Sequence, residues 1–234
     1  MEHMGITLRK RKYSFNLIRE EFALINTKPS LPKFQSLIAK NAYTDDGSEY
    51  NMDWCEKYRK LCLQNYDLNM IYFSQLKYDD FDSVIKKFTK QHRFFEIKNL
   101  SECDGVSGYY IMILDKYKQA YIGKSKDIKR RILSHWSSTL PFDRTLFPMY
   151  AVETSTFSID FFRALDTARV FILKRHQCDN FEEKLIAEFP NKLYLTNRIG
   201  GDIEKLRGPE QLLKVFETIN QRNLLESKAD LGYL

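Results

Sequence analysis

The sequence predicts an α+β fold, in which a small antiparallel β-sheet is flanked by helices and preceded by a mostly helical N-terminal domain. Two observations lead to this prediction. Apolar residues recur at helical spacing through much of residues 1–104. Beyond residue 105 an apolar, β-rich run over 109–114 is followed by a polar turn and a second short run over 120–122, which is typical of a β-hairpin. We therefore expect a helical domain over 1–104 and a second domain over 105–234.

The predicted N-terminal domain contains several helices and no pattern typical of a catalytic site. Residues 15–25 have the spacing of an amphipathic helix, and residues 31–42 predict another short helix. A longer helical stretch begins at about Asp53, and the same spacing recurs over residues 81–88. This domain is expected to recognise DNA, bind a partner or mediate dimerisation.

The second domain begins with the hairpin and continues with alternating elements. Ser125 is the predicted N-cap of a helix that runs to about Ser137, with Asp127 in the first turn, where the helix dipole favours an anion. Further along the chain we expect a strand over 157–162, a strand over 168–173, a helix over 179–189 and a last helix that begins at Gly208-Pro209.

Composition predicts a soluble protein of a reducing compartment such as the cytoplasm. Hydrophobic residues make up 43% of the chain, which is enough for a packed core. No apolar run approaches the ~18 residues of a membrane span, so we expect no membrane partner. The net charge of +6 permits a polyanionic partner without requiring one. No C-x-x-C pair or zinc-ligand spacing occurs, and we expect free thiols at Cys55, Cys62, Cys103 and Cys178.

Two glycine–tyrosine triplets border the predicted hairpin: Gly108-Tyr109-Tyr110 and Tyr121-Ile122-Gly123. Tyrosines at such positions are most often core or cross-strand residues. The glycines are expected where a strand end needs room for its backbone. The following segment Lys124-Ser125-Lys126 places basic residues at a helix N-terminus, a position that suits phosphate contacts.

Arg131 and His135 lie one turn apart, at the edge of the apolar stripe of the predicted helix, whereas Arg130 points towards water. A guanidinium and an imidazole held together at this margin can both donate hydrogen bonds to a phosphate. For these two residues alone, a surface arginine beside a half-buried histidine is the commoner arrangement.

Glu182 falls inside the apolar stripe of the predicted helix over 179–189, while Glu183 lies outside it. A carboxylate on a buried face is costly unless it is paired or bound to a cation. A magnesium ligand and a structural salt bridge are equally compatible with this position.

Together and in this order, these residues resemble the GIY-YIG nuclease superfamily over about residues 105–200. The first triplet is similar to the first family motif, and the second triplet matches the second motif. The helix with Arg131 and His135 resembles the helix that carries the essential arginine. Glu182 occupies the position of the metal ligand, and Asn197 resembles the closing asparagine.

Two features depart from the family pattern. Tyr109 replaces an aliphatic residue of the first motif, so that position alone favours Tyr110 as the functional tyrosine. The insertion between His135 and Glu182 is long, and it is expected to add a DNA-contacting or a structural element.

The resemblance implies a metal-dependent endonuclease that hydrolyses phosphodiester bonds, with one Mg²⁺ or Mn²⁺ ion held by Glu182. DNA is the favoured substrate, and RNA remains open. The implied catalytic residues are Tyr110, Tyr121, Arg131, His135, Glu182 and Asn197, and the implied nucleic-acid-binding residues are Lys124, Lys126 and Arg130.

Each implied residue has an expected role. Tyr110 helps to deprotonate the attacking water, which requires positive charge to lower its phenol pKa from ~10. Tyr121 and His135 orient water and phosphate or assist proton transfer. Arg131 neutralises charge that builds on the phosphorus, and Asn197 braces the site.

Two other classes of function remain open. One is a non-catalytic nucleic-acid-binding or regulatory protein on the same scaffold, and the other is a helical interaction protein in which the motifs are coincidental. The second leaves Glu182 without an explanation. The oligomeric state is open, with a homodimer as one option.

Overall fold

The computed structural model describes residues 1–9, 15–23, 52–138, 140, 142–146, 152, 155–176 and 180–197. Over these residues the fold is α+β, as predicted, with four α-helices and two antiparallel sheets. The helices are α1 (Met52–Gln75), α2 (Tyr78–Gln91), α3 (Ile128–Ser137) and α4 (Phe181–Glu188). The small sheet pairs β1 (Glu2–His3) with β2 (Ile6–Thr7). The main sheet contains β3 (Phe95–Ile97), β4 (Gly108–Leu114), β5 (Gln119–Ser125) and β6 (Arg169–Lys174).

The main sheet has the strand order β3-β6-β4-β5, and all its neighbours are antiparallel. Strands β4 and β5 form the predicted hairpin, and β6 confirms the strand expected over 168–173. The turn between β4 and β5 is a 3₁₀ turn over Asp115–Tyr117, followed by Lys118 in the left-handed conformation, at a φ of 50°.

Helices cover both faces of this sheet, which explains why every residue of β4 is buried. Side chains alternate along a strand, so consecutive residues enter different layers. We call the two layers the α1/α3 face and the α2/α4 face. From β4, the α1/α3 face receives Tyr110, Met112 and Leu114, and the α2/α4 face receives Tyr109, Ile111 and Ile113.

The chain before residue 105 contributes directly to both layers. Strand β3 pairs with β6 at the edge of the main sheet. The buried side of α1 packs in the same hydrophobic core as Tyr110 of β4 and the buried side of α3, the helix that carries His135. Residues on the two sides of position 104 therefore share one sheet and one core.

Helices α1 and α2 confirm the two helical stretches predicted from about Asp53 and over 81–88, and α4 confirms the described part of the helix expected over 179–189. Cys55, Cys62 and Cys103 are buried thiols that form no disulfide, as expected. The expected helix over 31–42, the last helix and Cys178 lie outside the described residues. None of the described helices is long and apolar enough to cross a membrane.

Three expectations about local structure are wrong. The first is the amphipathic helix over 15–25: within 15–23 the chain forms a single 3₁₀ turn over Arg19–Glu21. Leu17 and Phe22 are nevertheless buried, because the apolar side chains of this segment pack onto the core without a continuous helix. The spacing of the apolar residues thus predicted correctly that these side chains are buried, but it predicted the wrong backbone conformation.

The second concerns residues 157–162, which form a 3₁₀ turn over Ile159–Phe161 and not a strand. The Ser158 side chain accepts a hydrogen bond from the backbone N–H of Asp160, at 3.3 Å. Such a local side-chain bond competes with strand formation and outweighs the β-propensity of the flanking aromatic residues.

The third is the N-cap of α3, which is Asp127 and not Ser125. The Asp127 carboxylate accepts a hydrogen bond from the Arg130 backbone N–H at 3.0 Å. Ser125 is still the last residue of β5, and its hydroxyl accepts from the Asp127 N–H at 3.1 Å. Serine and aspartate can both cap a helix. Because β5 extends to Ser125, the helix begins later and Asp127 is its N-cap.

Candidate active site

The candidate site begins where the hairpin presents Tyr110 and Tyr121 to the α1/α3 face. Tyr110 lies opposite Gly123 in the register of β4 and β5. A Cβ atom added to Gly123 would lie 2.5 Å from the Tyr110 hydroxyl oxygen and 2.9 Å from the Tyr121 ring. Gly123 is therefore required because it leaves space for the two phenol rings. Gly108 meets a similar constraint at the strand end, since its Cβ would lie 2.2 Å from the Leu173 carbonyl oxygen.

Helix α3 brings His135 onto these tyrosines. The Nε2 atom of His135 lies 2.8 Å from the Tyr110 hydroxyl oxygen. The imidazole also packs edge-on against the Tyr121 ring, with 5.1 Å between ring centroids. His135 is only 1% exposed, so it is more deeply buried than the sequence suggested. Arg131 lies one turn earlier on α3, and its side chain remains exposed.

The two phenols are held in their protonated form. Burial raises the pKa of Tyr110 well above its usual value, and the charge of Arg131 opposes that rise without overcoming it. Burial likewise raises the pKa of Tyr121 to about 12, with a further rise from the negative charge of Glu182. The expectation of a lowered Tyr110 pKa is therefore wrong here, because loss of water around the phenol outweighs one nearby guanidinium.

Asp160 completes this cluster, and sequence reasoning missed it. Its Oδ1 atom lies 2.8 Å from Nδ1 of His135, on the side of the ring opposite Tyr110. Asp160 comes from the 3₁₀ turn over Ile159–Phe161, which packs against α3. The only local signal was the Ser158-x-Asp160 capping pattern, which predicts a turn and does not predict a contact with His135.

Glu182 lies in the first turn of α4, where its side chain is half-buried. Burial raises the pKa of its carboxyl, while the Lys124 ammonium lowers it. Lys124 Nζ lies 3.7 Å from the carboxylate, which is longer than a hydrogen bond. The negative charge of Glu182 also raises the pKa of Tyr110 and Tyr121, so this carboxylate acts on the phenol cluster. Glu183 is exposed, as predicted.

The side chains of the candidate site are compatible with a metal ion that binds to a single protein carboxylate, that of Glu182. Among the described residues no group of three or more His, Cys, Asp or Glu side chains converges. Mg²⁺ commonly binds through one or two carboxylates and completes its coordination with water and substrate phosphate oxygens. Glu182 supplies such a carboxylate, which lies beside the Lys124 ammonium and also accepts a hydrogen bond from the Lys124 backbone.

Asn197 lies at the outer edge of β5 and holds that strand. Its side chain accepts a hydrogen bond from the Ile122 N–H at 3.1 Å and donates one to the Ile122 carbonyl at 2.7 Å. The neighbouring Thr196 N–H donates to the Ala120 carbonyl at 2.9 Å. Ile122 stands between Tyr121 and Gly123, so Asn197 fixes the backbone that presents these two residues.

Basic side chains surround this end of the sheet. Lys124 near the end of β5, Lys126 just after it and Arg130 in the first turn of α3 are all exposed. The register pairs Gly108 with Ser125 on one side and with Lys174 on the other. This pairing brings the exposed Lys174 and its neighbour Arg175 to the same end of the sheet. The Arg175 guanidinium lies over the Phe181 ring, at 4.3 Å from the ring centroid. Sequence reasoning missed both of these residues, because only the sheet order makes them neighbours of the hairpin.

Comparison of the chain with protein-family models, with curated proteins and with solved structures found no match. The site must therefore be interpreted from its own chemistry. It combines a buried phenol–imidazole hydrogen bond, an exposed guanidinium, one half-buried carboxylate and a basic rim. Such a set can accept a proton, bind a phosphate and hold a divalent cation.

Proposed function

We propose that the protein is a metal-dependent endonuclease that hydrolyses phosphodiester bonds, with DNA as the favoured substrate. The observation that carries this proposal is the 2.8 Å contact between Tyr110 and His135, with Tyr121 and Arg131 beside it. The resemblance of these residues to the GIY-YIG nucleases supports the same conclusion. Glu182 adds the carboxylate that such chemistry needs for its metal.

The attacking water loses its proton along the Tyr110–His135 pair. The Tyr110 oxygen takes a proton from water while the Tyr110 hydroxyl proton passes to Nε2 of His135. This relay does not require a phenolate at rest, which agrees with the raised pKa of Tyr110. The water oxygen then bonds to phosphorus, the bond from phosphorus to the leaving oxygen breaks, and that oxygen takes a proton from solvent. The relay then reverses: Nε2 of His135 returns its extra proton to the Tyr110 oxygen, as the Tyr110 hydroxyl gives its own proton to the water that replaces the product.

The side chains around this pair bind the phosphate. Arg131 is exposed and positively charged, so that it can donate hydrogen bonds to phosphate oxygens and stabilise the charge that develops on them. Tyr121 stays protonated at neutral pH because its pKa is about 12, and its hydroxyl acts as a hydrogen-bond donor that orients the phosphate or the water.

Glu182 is the residue that would hold the Mg²⁺ or Mn²⁺ ion. A bound metal polarises the phosphate and stabilises charge on the leaving oxygen. The raised pKa of the Glu182 carboxyl reflects burial, and a cation would favour its ionised form.

The basic rim suits a nucleic-acid backbone. Lys124, Lys126 and Arg130 are exposed beside the site, and Lys174 and Arg175 extend the rim across the sheet end. Contacts of this kind bind phosphates without reading sequence, so we expect binding that weakens as salt increases. The rim contacts phosphate groups that DNA and RNA share, and both substrates belong in the test.

The test is incubation of the purified protein with supercoiled plasmid, single-stranded DNA and RNA, with and without Mg²⁺. We expect Mg²⁺-dependent nicking or linearisation by the wild-type protein. Glu182→Gln should abolish it, because the metal loses its carboxylate. Glu183→Gln is the matched control, since it removes the neighbouring exposed carboxylate and should leave cutting unchanged.

Two outcomes would contradict the proposal. Full activity of Glu182→Gln would remove the metal assignment. Salt-sensitive binding of every substrate without any cutting would favour the alternative of a non-catalytic nucleic-acid-binding protein.

A further inference from the structure

Asp160 lies at one end of a linear arrangement of three buried or half-buried groups. His135 stands in the middle, with Nδ1 at 2.8 Å from Asp160 and Nε2 at 2.8 Å from the Tyr110 hydroxyl. Both ring nitrogens are thus occupied, and His135 is almost completely removed from solvent. Because an imidazole in this position cannot exchange partners with water, its neighbours determine where its proton lies.

The position of Asp160 is itself fixed from two directions. The Ser158 hydroxyl accepts from its backbone N–H, and Nη1 of Arg163 donates to its backbone carbonyl at 3.2 Å. The same Arg163 nitrogen donates to the Ser138 carbonyl at 3.0 Å, just beyond the last residue of α3. Arg163 therefore ties the 3₁₀ turn that carries Asp160 to the helix that carries His135.

The chemistry of the two partners assigns the tautomer. An ionised carboxylate only accepts hydrogen bonds, so Nδ1 of His135 must carry a proton to make this contact. In a neutral imidazole the other nitrogen is then an acceptor, and the Tyr110 hydroxyl must be the donor. A proton on Nε2 in place of Nδ1 would leave the Asp160 contact without a hydrogen.

We propose that Asp160 is a positioning residue that holds His135 in the tautomer with its proton on Nδ1, leaving Nε2 free to accept the proton of Tyr110. Its catalytic consequence rests on the proposed nuclease function. As Nε2 gains a proton, the imidazole becomes positively charged, and the Asp160 carboxylate stabilises that charge at 2.8 Å. The insertion between His135 and Glu182 thus supplies the group that positions His135 for the proton transfer.

A purely structural ion pair would use the same distance but would have different consequences. It would stabilise the fold and would leave activity unchanged once the variant is folded. A positioning role instead predicts that the protonation site on His135 depends on Asp160 and that kcat falls without a change in KM.

The first measurement is the nitrogen-15 spectrum of the histidine side chains at pH about 8, above the ordinary histidine pKa of about 6.5. The signals of His135 are assigned among the four histidines by their loss in His135→Gln. We expect Nδ1 to be protonated and Nε2 to be unprotonated in the wild-type protein, and the proton to move to Nε2 in a substantial fraction of Asp160→Ala. The wild-type spectrum alone overturns the proposal if Nε2 carries the proton.

The second measurement is plasmid cleavage by the same proteins. For Asp160→Ala we expect kcat to fall about 10- to 100-fold with unchanged KM, because the imidazole loses the group that orients and stabilises it. The control is Asp104→Ala, which removes a carboxylate that pairs with Lys129 of the same helix, at an exposed site, and should retain wild-type kcat. Wild-type kcat for a folded Asp160→Ala would also overturn the proposal.

The two measurements separate this inference from the nuclease assignment. A wild-type protein that cuts no substrate, but whose His135 proton moves in Asp160→Ala, would refute the proposed function and retain Asp160 as the residue that sets the tautomer. A nuclease whose His135 tautomer is insensitive to Asp160 would retain the function and refute the inference.

Discussion

Tyr109 and Tyr110 are consecutive residues of one strand, and both are completely buried, yet they belong to different environments. Tyr109 points to the α2/α4 face, where its ring packs edge-on against Phe181 at 4.8 Å. Tyr110 points to the α1/α3 face, where its hydroxyl meets His135. The side of the sheet, and not residue type or burial, therefore distinguishes Tyr109 from the tyrosine of the candidate site.

The two faces differ in the same way as the two tyrosines. The buried cluster on the α2/α4 face is formed by aliphatic and aromatic side chains. On the α1/α3 face, the apolar core adjoins buried polar groups that include His135 and Asp166. Both of these residues are satisfied: His135 contacts Tyr110 and Asp160, and Asp166 accepts from the N–H groups of Leu17 and Arg163 and from the Tyr117 hydroxyl. Buried polar groups require such partners, and on this face one of them, His135, contacts the Tyr110 hydroxyl.

The largest expected effect is the difference between two variants that each remove one tyrosine hydroxyl, one on each face of the sheet. Tyr110→Phe deletes the group that donates to His135 and should lower kcat about 100-fold or more, because a positioned acid or base contributes about 10² to 10⁴. Tyr109→Phe removes the corresponding oxygen from the other face and should retain wild-type kcat. Plasmid cleavage by both variants measures the difference. Equal loss in the two would mean that the hydroxyls support folding and not chemistry.

The next effect comes from Gly123, which leaves space for the tyrosines of the α1/α3 face. Gly123→Ala places a methyl group 2.5 Å from the Tyr110 oxygen and should displace that ring from His135. Overpacking of this kind costs about 1–3 kcal/mol of the free energy of unfolding, and we expect cutting to be lost with it. Urea denaturation and plasmid cleavage measure the two effects.

Gly105 provides the control for that substitution. Its φ is 65°, which disfavours alanine, but no atom lies within 4 Å of an added Cβ. Gly105→Ala should therefore cost about 1 kcal/mol of stability through backbone strain and leave cutting intact. If both alanine variants lose activity in proportion to stability, the fit between Gly123 and Tyr110 has no functional meaning.

The smallest effect is expected at Asn197, which stabilises the strand and does not contact the phenols. Asn197→Ala leaves the N–H and carbonyl of Ile122 without these two partners and should cost about 2 kcal/mol, at about 1 kcal/mol for each hydrogen bond. Hydrogen exchange at the Ile122 amide should accelerate, and cutting should fall only modestly. Asn191→Ala is the comparison, because Asn191 caps a 3₁₀ turn through Leu193 and leaves Ile122 untouched. Unchanged exchange at Ile122 would contradict the bracing role.

Much of the local structure could be predicted, because it depends on neighbours in the chain. The hairpin followed from two apolar runs and a turn, and α3 followed from its apolar stripe. The predictions of the α3 cap and of a strand over 157–162 were wrong, because a short polar side chain can hydrogen-bond to any of several nearby backbone groups. Which of these hydrogen bonds forms depends on where β5 ends and on what packs against α3.

Asp160 could not be predicted as a site residue. It is 25 residues from His135 in sequence, and its contact arises when the 3₁₀ turn packs against α3. The raised pKa of Tyr110 is equally a tertiary property, since it follows from burial of the phenol on the α1/α3 face. Lys174 reaches the basic rim only because β6 lies beside β4.

The sequence by itself indicated the α+β class, the order of β4, β5, α3, β6 and α4 along the chain, and the residue types that a phosphodiester-cleaving site would use. These follow from periodicity and from side-chain chemistry, which are local properties. The tertiary structure alone decided that Tyr110 contacts His135, that Asp160 lies on the other side of His135, and that burial raises the pKa of both phenols. Those features depend on which distant surfaces pack together and on the water that this packing removes.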